Sequence, residues 1–304
     1  MITLASGLSY IDLHFLDVPR VIATAVLHGP GGTALIDPGP SSTLPTLRRT
    51  LAEGGIAIQD VRTILLTHIH LDHAGATGTL VAENPGIRVY VHEKGARHMA
   101  APEALIASAT RLYGADMDRL WGEFRPVPTA AMTVLAGGER LEVGGRQVDV
   151  IYTPGHAQHH VSYFTADSGI AFVGDTAGIR LRRDGYVLPP TPPPDIDLEE
   201  WGRSLDLIAA WHPETLFVTH FGAYAPAAPH LAEMRDHMVS VSELARQSLA
   251  RDASDQERES WFSGELRRVL RRQLSAADTD AYEVAGRFDL SWRGLARYWR
   301  KRAS

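Results

Sequence analysis

Short apolar runs, some alternating with polar positions and some continuous, dominate the first forty residues and predict strands. "VIATAVLH" and "TALIDPG" flank the turn-rich "GPGG", the signature of a hairpin running into Asp37-Pro38-Gly39. "LPTLRRTLAEG" (44–54) then places its apolar residues on one helical face and stops at Gly54-Gly55. "VRTILLTH" and "IRVYVHE" are the next strands, rich in branched residues that suit a buried sheet. Residues 94–125 read as short helices, either a packed insertion or an active-site cover. From 132 onward short strands return in "MTVLAG", "ERLEVGG", "QVDVIYTPG", "HHVSYFT" and "GIAFVGD", separated by glycine-bearing turns as in a mixed or antiparallel sheet.

The proline-rich "VLPPTPPPDIDL" is excluded from the centre of a sheet by its missing amide donors, and is expected to be a surface linker or a pocket wall. A helix ("LEEWGRSLDLIAAW") and a strand ("TLFVTHFG") follow. Beyond residue 226 no strand is evident, and "HLAEMRDHMVSVSELARQSL", "ESWFSGELRRVLRRQL" and "DLSWRGLARYWRKR" read as helices with limited apolar faces. The pattern as a whole predicts a layered α/β architecture with helices covering sheet faces. It divides the chain into a unit over 1–225 and a helical extension over 226–304 packed on it.

Composition narrows the chemistry. The chain has 304 residues, 44% hydrophobic and 22% charged, as expected of a compact fold rather than a disordered chain. A net charge of −6 without single-sign blocks gives no electrostatic footprint for nucleic acid or an anionic membrane. There is no cysteine, so any metal must be held by nitrogen and oxygen. No run approaches the roughly 18–20 apolar residues that span a bilayer, and the N-terminus lacks the form of a signal peptide. The expectation is a cytoplasmic protein without a membrane partner. A homodimer is the expectation on size and class.

"LLTHIHLDHAGATG" (65–78) crowds three histidines and an aspartate directly after a buried strand. On extended backbone His68 and His70 point the same way, and a following turn brings Asp72 and His73 to a neighbouring point. Burying these groups unpaired would cost several kcal/mol, roughly 2–7 for each polar group. Further ligand types follow apolar strands elsewhere: His156 in "IYTPGHAQHH", Asp175 in "IAFVGDT" and His220 in "LFVTHFG". These seven side chains suit two zinc-class ions with one carboxylate shared. Zinc accepts His and Asp alike, while iron and manganese are the alternatives.

In "HIHLDH", "IDPG", "TPGH", "GD" and "THFG", in that order, the chain resembles the metallo-beta-lactamase-fold hydrolases over about residues 20–222. The resemblance implies a four-layered αββα sandwich. It assigns His68, His70 and His156 to a first metal, Asp72, His73 and His220 to a second, Asp175 as the bridge, and Asp37 as a structural residue beneath them. It further implies hydrolysis by a metal-bridging hydroxide that Asp72 aims. His160 is expected to support its loop through a hydrogen bond, His159 to begin a strand, and Thr67 and Thr219 to orient the loops that follow them.

The substrate expected is an ester-like small molecule. Alternatives are a thioester in a non-standard glyoxalase-II manner, a lactone, a phosphodiester, or oxidation by a mononuclear iron persulfide dioxygenase; a non-catalytic binding protein is the least favoured. Asp175 argues against beta-lactamase activity, since beta-lactamases of the family usually lack it. Lactonases of the family often carry a tyrosine three residues after the bridging aspartate, where this chain has Gly178. Tyr224 is therefore the candidate pocket tyrosine, with Tyr186 behind it. Met117, Leu120, Trp121 and Phe124 either line an apolar groove above the metals or simply pack the insertion.

Overall fold

The structure, a computed structural model, describes residues 1–303. Seven strands form the first sheet in sequential order: β1 (Ile2–Ala5), β2 (Leu8–Asp12), β3 (Ala23–Gly29), β4 (Gly32–Ile36), β5 (Val61–Leu65), β6 (Arg88–His92) and β7 (Met132–Leu135). The second sheet contains β8 (Arg140–Val143), β9 (Arg146–Tyr152), β10 (Val161–Thr165), β11 (Ile170–Phe172), β12 (Thr215–Val218) and β13 (Gly222–Tyr224), also in sequential order across the sheet.

The helices are α1 (Leu44–Glu53), α2 (Leu71–Ala74), α3 (Thr77–Glu83), α4 (Glu93–Ala100), α5 (Glu103–Tyr113), α6 (Met117–Trp121), α7 (Leu198–Ala210), α8 (Ala227–Leu249), α9 (Asp255–Leu270), α10 (Ala276–Gly286) and α11 (Phe288–Ala303). One apolar cluster joins Leu47 and Leu51 of α1 and Leu80 of α3 to the outer face of the first sheet. A second takes in both inner sheet faces, through Leu27, Ile36, Val150 and Phe172, together with Trp201 and Leu205 of α7 and residues of α8–α11. The layers are helix, sheet, sheet, helix, the αββα sandwich that the resemblance implies.

Local sequence explains the elements. In α1, Leu44, Leu47 and Leu51 are the buried face, with proline in the first turn and Gly54 at the end. Asp197 caps α7 by accepting from the Glu200 amide, and Glu199 and Glu200 complement the positive end of that helix. Ser254 and Glu257 form a capping box at α9. Among its described residues the tail holds four helices where the apolar pattern shows three. The extra one, α10, buries Thr279, Tyr282 and Gly286, a face with one large apolar residue and hence no amphipathic signature.

Strand direction brings the ligand-type residues to one edge. β4 and β5 are parallel, so Asp37 and the 68–73 segment leave the first sheet on the same side. β11 and β12 are parallel, so Asp175 and His220 do the same in the second. β9 is antiparallel to β10, which is antiparallel to β11. Two reversals restore its direction, and His156 emerges at that edge too. Among the described residues no helix is long and apolar enough to cross a membrane.

Candidate metal centre

The seven predicted side chains come together. His68, His70 and His156 form one group, and Asp72, His73 and His220 another; within each, the candidate ligand atoms lie within 4.8 Å of one another. A third such set, His68, His73 and Asp175, ties the two together. In the first group Nδ1 of His70 is 3.0 Å from Nε2 of His68 and 3.0 Å from Nε2 of His156. In the second, Oδ2 of Asp72 is 3.3 Å from Nε2 of His220 and 3.7 Å from Nε2 of His73.

Asp175 joins them with one oxygen on each side. Its Oδ2 is 3.3 Å from Nε2 of His156, while Oδ1 is 3.3 Å from His73 and 3.5 Å from His220. Nε2 of His73 and Oδ1 of Asp175 are buried without a hydrogen-bond partner. Orphaned buried polar atoms of this kind are uncommon in folded proteins. A cation between them would satisfy both, and the all-nitrogen-and-oxygen donor set fits zinc-class ions.

The remaining ring nitrogens are anchored from behind. Nδ1–H donates from His156 to the Pro190 carbonyl at 2.8 Å, from His220 to the Val21 carbonyl at 2.7 Å, and from His73 to Asp37 Oδ2 at 2.8 Å. The Thr67 hydroxyl donates to Asp37 Oδ2 at 2.7 Å, which leaves its oxygen to accept from Nδ1 of His68 at 3.1 Å. Each anchor fixes the tautomer that presents a lone pair at Nε2 to the centre. His70 differs, since it presents Nδ1.

Electrostatics divides the group. Burial above all pushes His68, His70 and His156 down, His70 to about 3, so these rings are neutral. Burial also opposes charge on His73 and His220, but the carboxylates, Asp175 foremost, outweigh it and raise both. The reciprocal effect holds for the acids. Burial opposes their charge, but the neighbouring histidines, His73 foremost, bring Asp72 to about 2 and Asp175 well below the usual carboxylate range.

His160 stands behind the centre, not in it. Its Nδ1 meets the hydroxyls of Thr153 (2.9 Å) and Thr176 (3.2 Å), and its Nε2 accepts from the Asp175 amide at 3.3 Å. His159 precedes β10 instead of beginning it, and lines the cavity above the metals. The glycine of "TPGH" is required by space: Gly155 has φ 130°, and a Cβ there would lie 2.4 Å from Trp201 Cα. Trp201 in turn donates its indole N–H to the Thr176 carbonyl at 2.7 Å, and its ring meets that of His156 in a T-shaped pair.

The cavity has a volume of about 310 Å³. Its floor is His70, Asp72, His156, Asp175 and His220; its walls include Phe15, Leu105, Leu112 and Trp121, and Leu290 of the tail. The proline-rich segment is a wall, through Pro190, Pro192, Pro193 and Pro194. Of the four groove candidates only Trp121 lines the cavity; Leu120 is buried and Met117 and Phe124 pack on the helical side of the first sheet.

Tyr224 is placed otherwise than expected. Its hydroxyl donates to the Arg180 carbonyl, and its ring lies outside the cavity lining. Tyr186 is also outside, stacked on His237. The tyrosine that does line the cavity is Tyr113, at the end of α5, with Arg287 of the tail beside it. Neither stands in a ligand motif. The one sequence signal for Tyr113 is its place in the helical cover segment. Gly178 leaves no room for a side chain: at φ 80° its Cβ would meet Met234 Sδ at 2.8 Å and the Leu188 carbonyl oxygen at 2.9 Å.

The Metallo-beta-lactamase superfamily sequence model matches residues 18–220, which hold all seven of these side chains. The chain belongs to the metallo-beta-lactamase superfamily. Among curated relatives, a metallo-beta-lactamase fold-containing protein of Sulfurisphaera tokodaii is 28% identical over 234 residues, 75% of this chain and 84% of that protein. A hydroxyacylglutathione hydrolase of Synechococcus is 30% identical over 153 residues, 50% of this chain and 47% of the enzyme, so the match spans about half of that protein. The crystal structure of a superfamily protein from Thermus thermophilus is 25% identical with a TM-score of 0.71, covering 99% of this chain and 95% of that one. That likeness therefore takes in the helical tail.

Proposed function

We propose that this metallo-beta-lactamase superfamily member is a dinuclear metal-dependent hydrolase of an ester-like small molecule. The observation that carries the reading is the split of the Asp175 carboxylate, one oxygen facing His156 and the other facing His73 and His220. His68, His70 and His156 would hold one ion and Asp72, His73 and His220 the other. Two divalent ions bound there supply Lewis acidity toward the scissile carbonyl and acidify water, which even a single zinc takes from about 15.7 to about 7. Zinc is the ion proposed.

The chain's own groups do the rest. Asp72 is partly exposed on the cavity floor and ionised, and its carboxylate accepts a hydrogen bond from the attacking water and aims it at the carbonyl. The walls from Phe15, Leu105 and Leu290 exclude bulk water and hold an apolar acyl portion. Residues 1–225 carry the chemistry, and the extension over 226–304 closes one side of the cavity. The hydroxyacylglutathione hydrolases among the relatives support a thioester as one member of the substrate class.

The test is metal content followed by parallel rates on an acyl thioester, a long-chain lactone and bis(4-nitrophenyl) phosphate. Two zinc-class ions per chain with turnover of an ester-type probe are expected. One iron per chain with oxygen consumption on a persulfide would replace this reading with the oxidative one.

A further inference from the structure

One corner of the cavity differs from its apolar walls. Tyr113 ends α5, and Arg287 occupies the joint between α10 and α11. The guanidinium carbon lies 5.5 Å from the centre of the Tyr113 ring, and Trp121 meets that ring edge-on at 5.0 Å and 75°. All three residues line the cavity.

Three donors at this corner have no acceptor among the described residues. Arg287 gives Nε and Nη2 to the Asp289 carboxylate, at 3.1 and 2.9 Å, and its Nη1 has no partner among the described residues. The Tyr113 hydroxyl has none either. Burial, and after it the field of Asp72, raises the Tyr113 pKa, so the group is an O–H donor at neutral pH. The indole N–H of Trp121 is also unpaired, and it is buried from the cavity.

We propose that Tyr113 and Arg287 form a recognition subsite for a neutral carbonyl oxygen, a ketone or an amide, carried on the apolar portion of the substrate. A carbonyl oxygen has two lone pairs, one for each donor. A carboxylate fits less well. The charge of Arg287 is already balanced by Asp289, and Asp195 also lines the cavity, so a second anion would meet like charges without a free cation. The subsite is built only where the cover helix and the tail meet, which gives the extension a role in choosing the substrate. The proposal rests on the hydrolase reading for its substrate and for the rate comparison, but not for the binding measurement.

The test uses the metal-loaded full chain as wild type, Tyr113→Phe and Arg287→Met. Phenyl octanoate is compared with the phenyl esters of 4-, 5-, 6- and 7-oxooctanoic acid and with monophenyl octanedioate. The readout is the ratio of kcat/KM between an oxo ester and phenyl octanoate, in which any general loss of folding or activity cancels. At least one oxo ester is expected to exceed phenyl octanoate about three- to tenfold in the wild type, the worth of one or two hydrogen bonds. Each variant, having lost one of the two donors, is expected to lower that ratio toward one. A wild-type ratio of one at every position, an undiminished ratio in the variants, or a preference for monophenyl octanedioate lost in Arg287→Met would each overturn the assignment.

Binding of the uncleavable amide N-propylhexanamide, followed by ligand-observed NMR, separates the subsite from the chemistry. Affinity reduced about three- to tenfold in both variants sustains the subsite even if no ester is turned over, an outcome that would remove the hydrolase reading instead. Equal affinity in all three proteins overturns the subsite whatever the rates show.

Discussion

Oδ2 of Asp37 lies 2.8 Å from Nδ1 of His73, and both side chains are closed to solvent. The same oxygen accepts from the hydroxyls of Thr67 (2.7 Å) and Thr219 (3.0 Å), and Oδ1 accepts from the Thr67 amide (2.8 Å). One carboxylate beneath the centre thus sets the ring of His73 directly and that of His68 through Thr67. Asparagine at position 37 has one oxygen for donors on both sides, so its amide group must oppose either the Thr67 amide or the His73 ring. Asp37→Asn is expected to weaken metal binding about 10- to 100-fold, in line with other partners that orient ligating imidazoles. Competition with a chromophoric chelator measures this, and unchanged affinity would remove Asp37 from that role.

Metal uptake should release protons. The surrounding carboxylates, Asp175 foremost, prevail over burial and hold His73 well above the usual histidine range, so the metal-free chain carries it protonated at pH 7. A metal ligand must be deprotonated. At least one proton per chain is therefore expected on titrating zinc at pH 7, read from calorimetry in buffers of differing protonation enthalpy. Affinity should fall as pH falls. The raised pKa of His73 also stabilises the metal-free fold fully below about 6.5, the unfolded value, and this is lost as pH rises through the folded pKa. The Tm of the metal-free protein should accordingly decline on the alkaline side more than that of the zinc-loaded protein. Zero proton release would contradict this account.

Asp72 is the ligand-type carboxylate with the most access to the cavity, its side chain 23% exposed against 5% for Asp175. It belongs to neither apolar core cluster. Asp72→Ala is expected to lower turnover of phenyl octanoate at least about 10²-fold while far-UV circular dichroism stays that of the wild type. Near-wild-type hydrolysis by this variant would defeat the assignment of Asp72 to aiming the water.

The placement of the site was legible because it obeys strand geometry. His68 and His70 share a direction along extended backbone, the turn of α2 delivers Asp72 and His73, and parallel strands return Asp175 and His220 to the same edge. The glycine in "TPGH" belongs to the same local logic, since Trp201 fills the space a side chain would take. The walls were less legible. Tyr224 lies close in sequence to His220, yet its hydroxyl is held by the Arg180 carbonyl; Tyr113 reaches the cavity because α5 packs near a tail helix distant in sequence. Such contacts depend on tertiary packing that no local period encodes. The helix α10 escaped for a related reason, its buried face being Thr279, Tyr282 and Gly286.

Tyr282 shows how that inconspicuous helix is tied to the catalytic layer. Its hydroxyl is buried, donates to the Tyr186 carbonyl at 2.6 Å and accepts from the Leu181 amide at 3.1 Å. Tyr282→Phe keeps the ring but strands an N–H and a C=O in the interior, at a cost of about 2–3 kcal/mol. A drop in Tm of roughly 4–8 °C is expected, at a few degrees per kcal/mol for a chain of this size. Val284, Ala285 and Gly286, one turn further along α10, line the cavity, whereas the seven candidate ligands stand on other elements. Loosening this helix should therefore raise KM for phenyl octanoate several-fold while kcat changes less than about twofold, the signature of lost binding contacts common to ground and transition states. A variant with wild-type Tm, or one that loses kcat at constant KM, would show that the Tyr282 hydroxyl does not position the tail for binding.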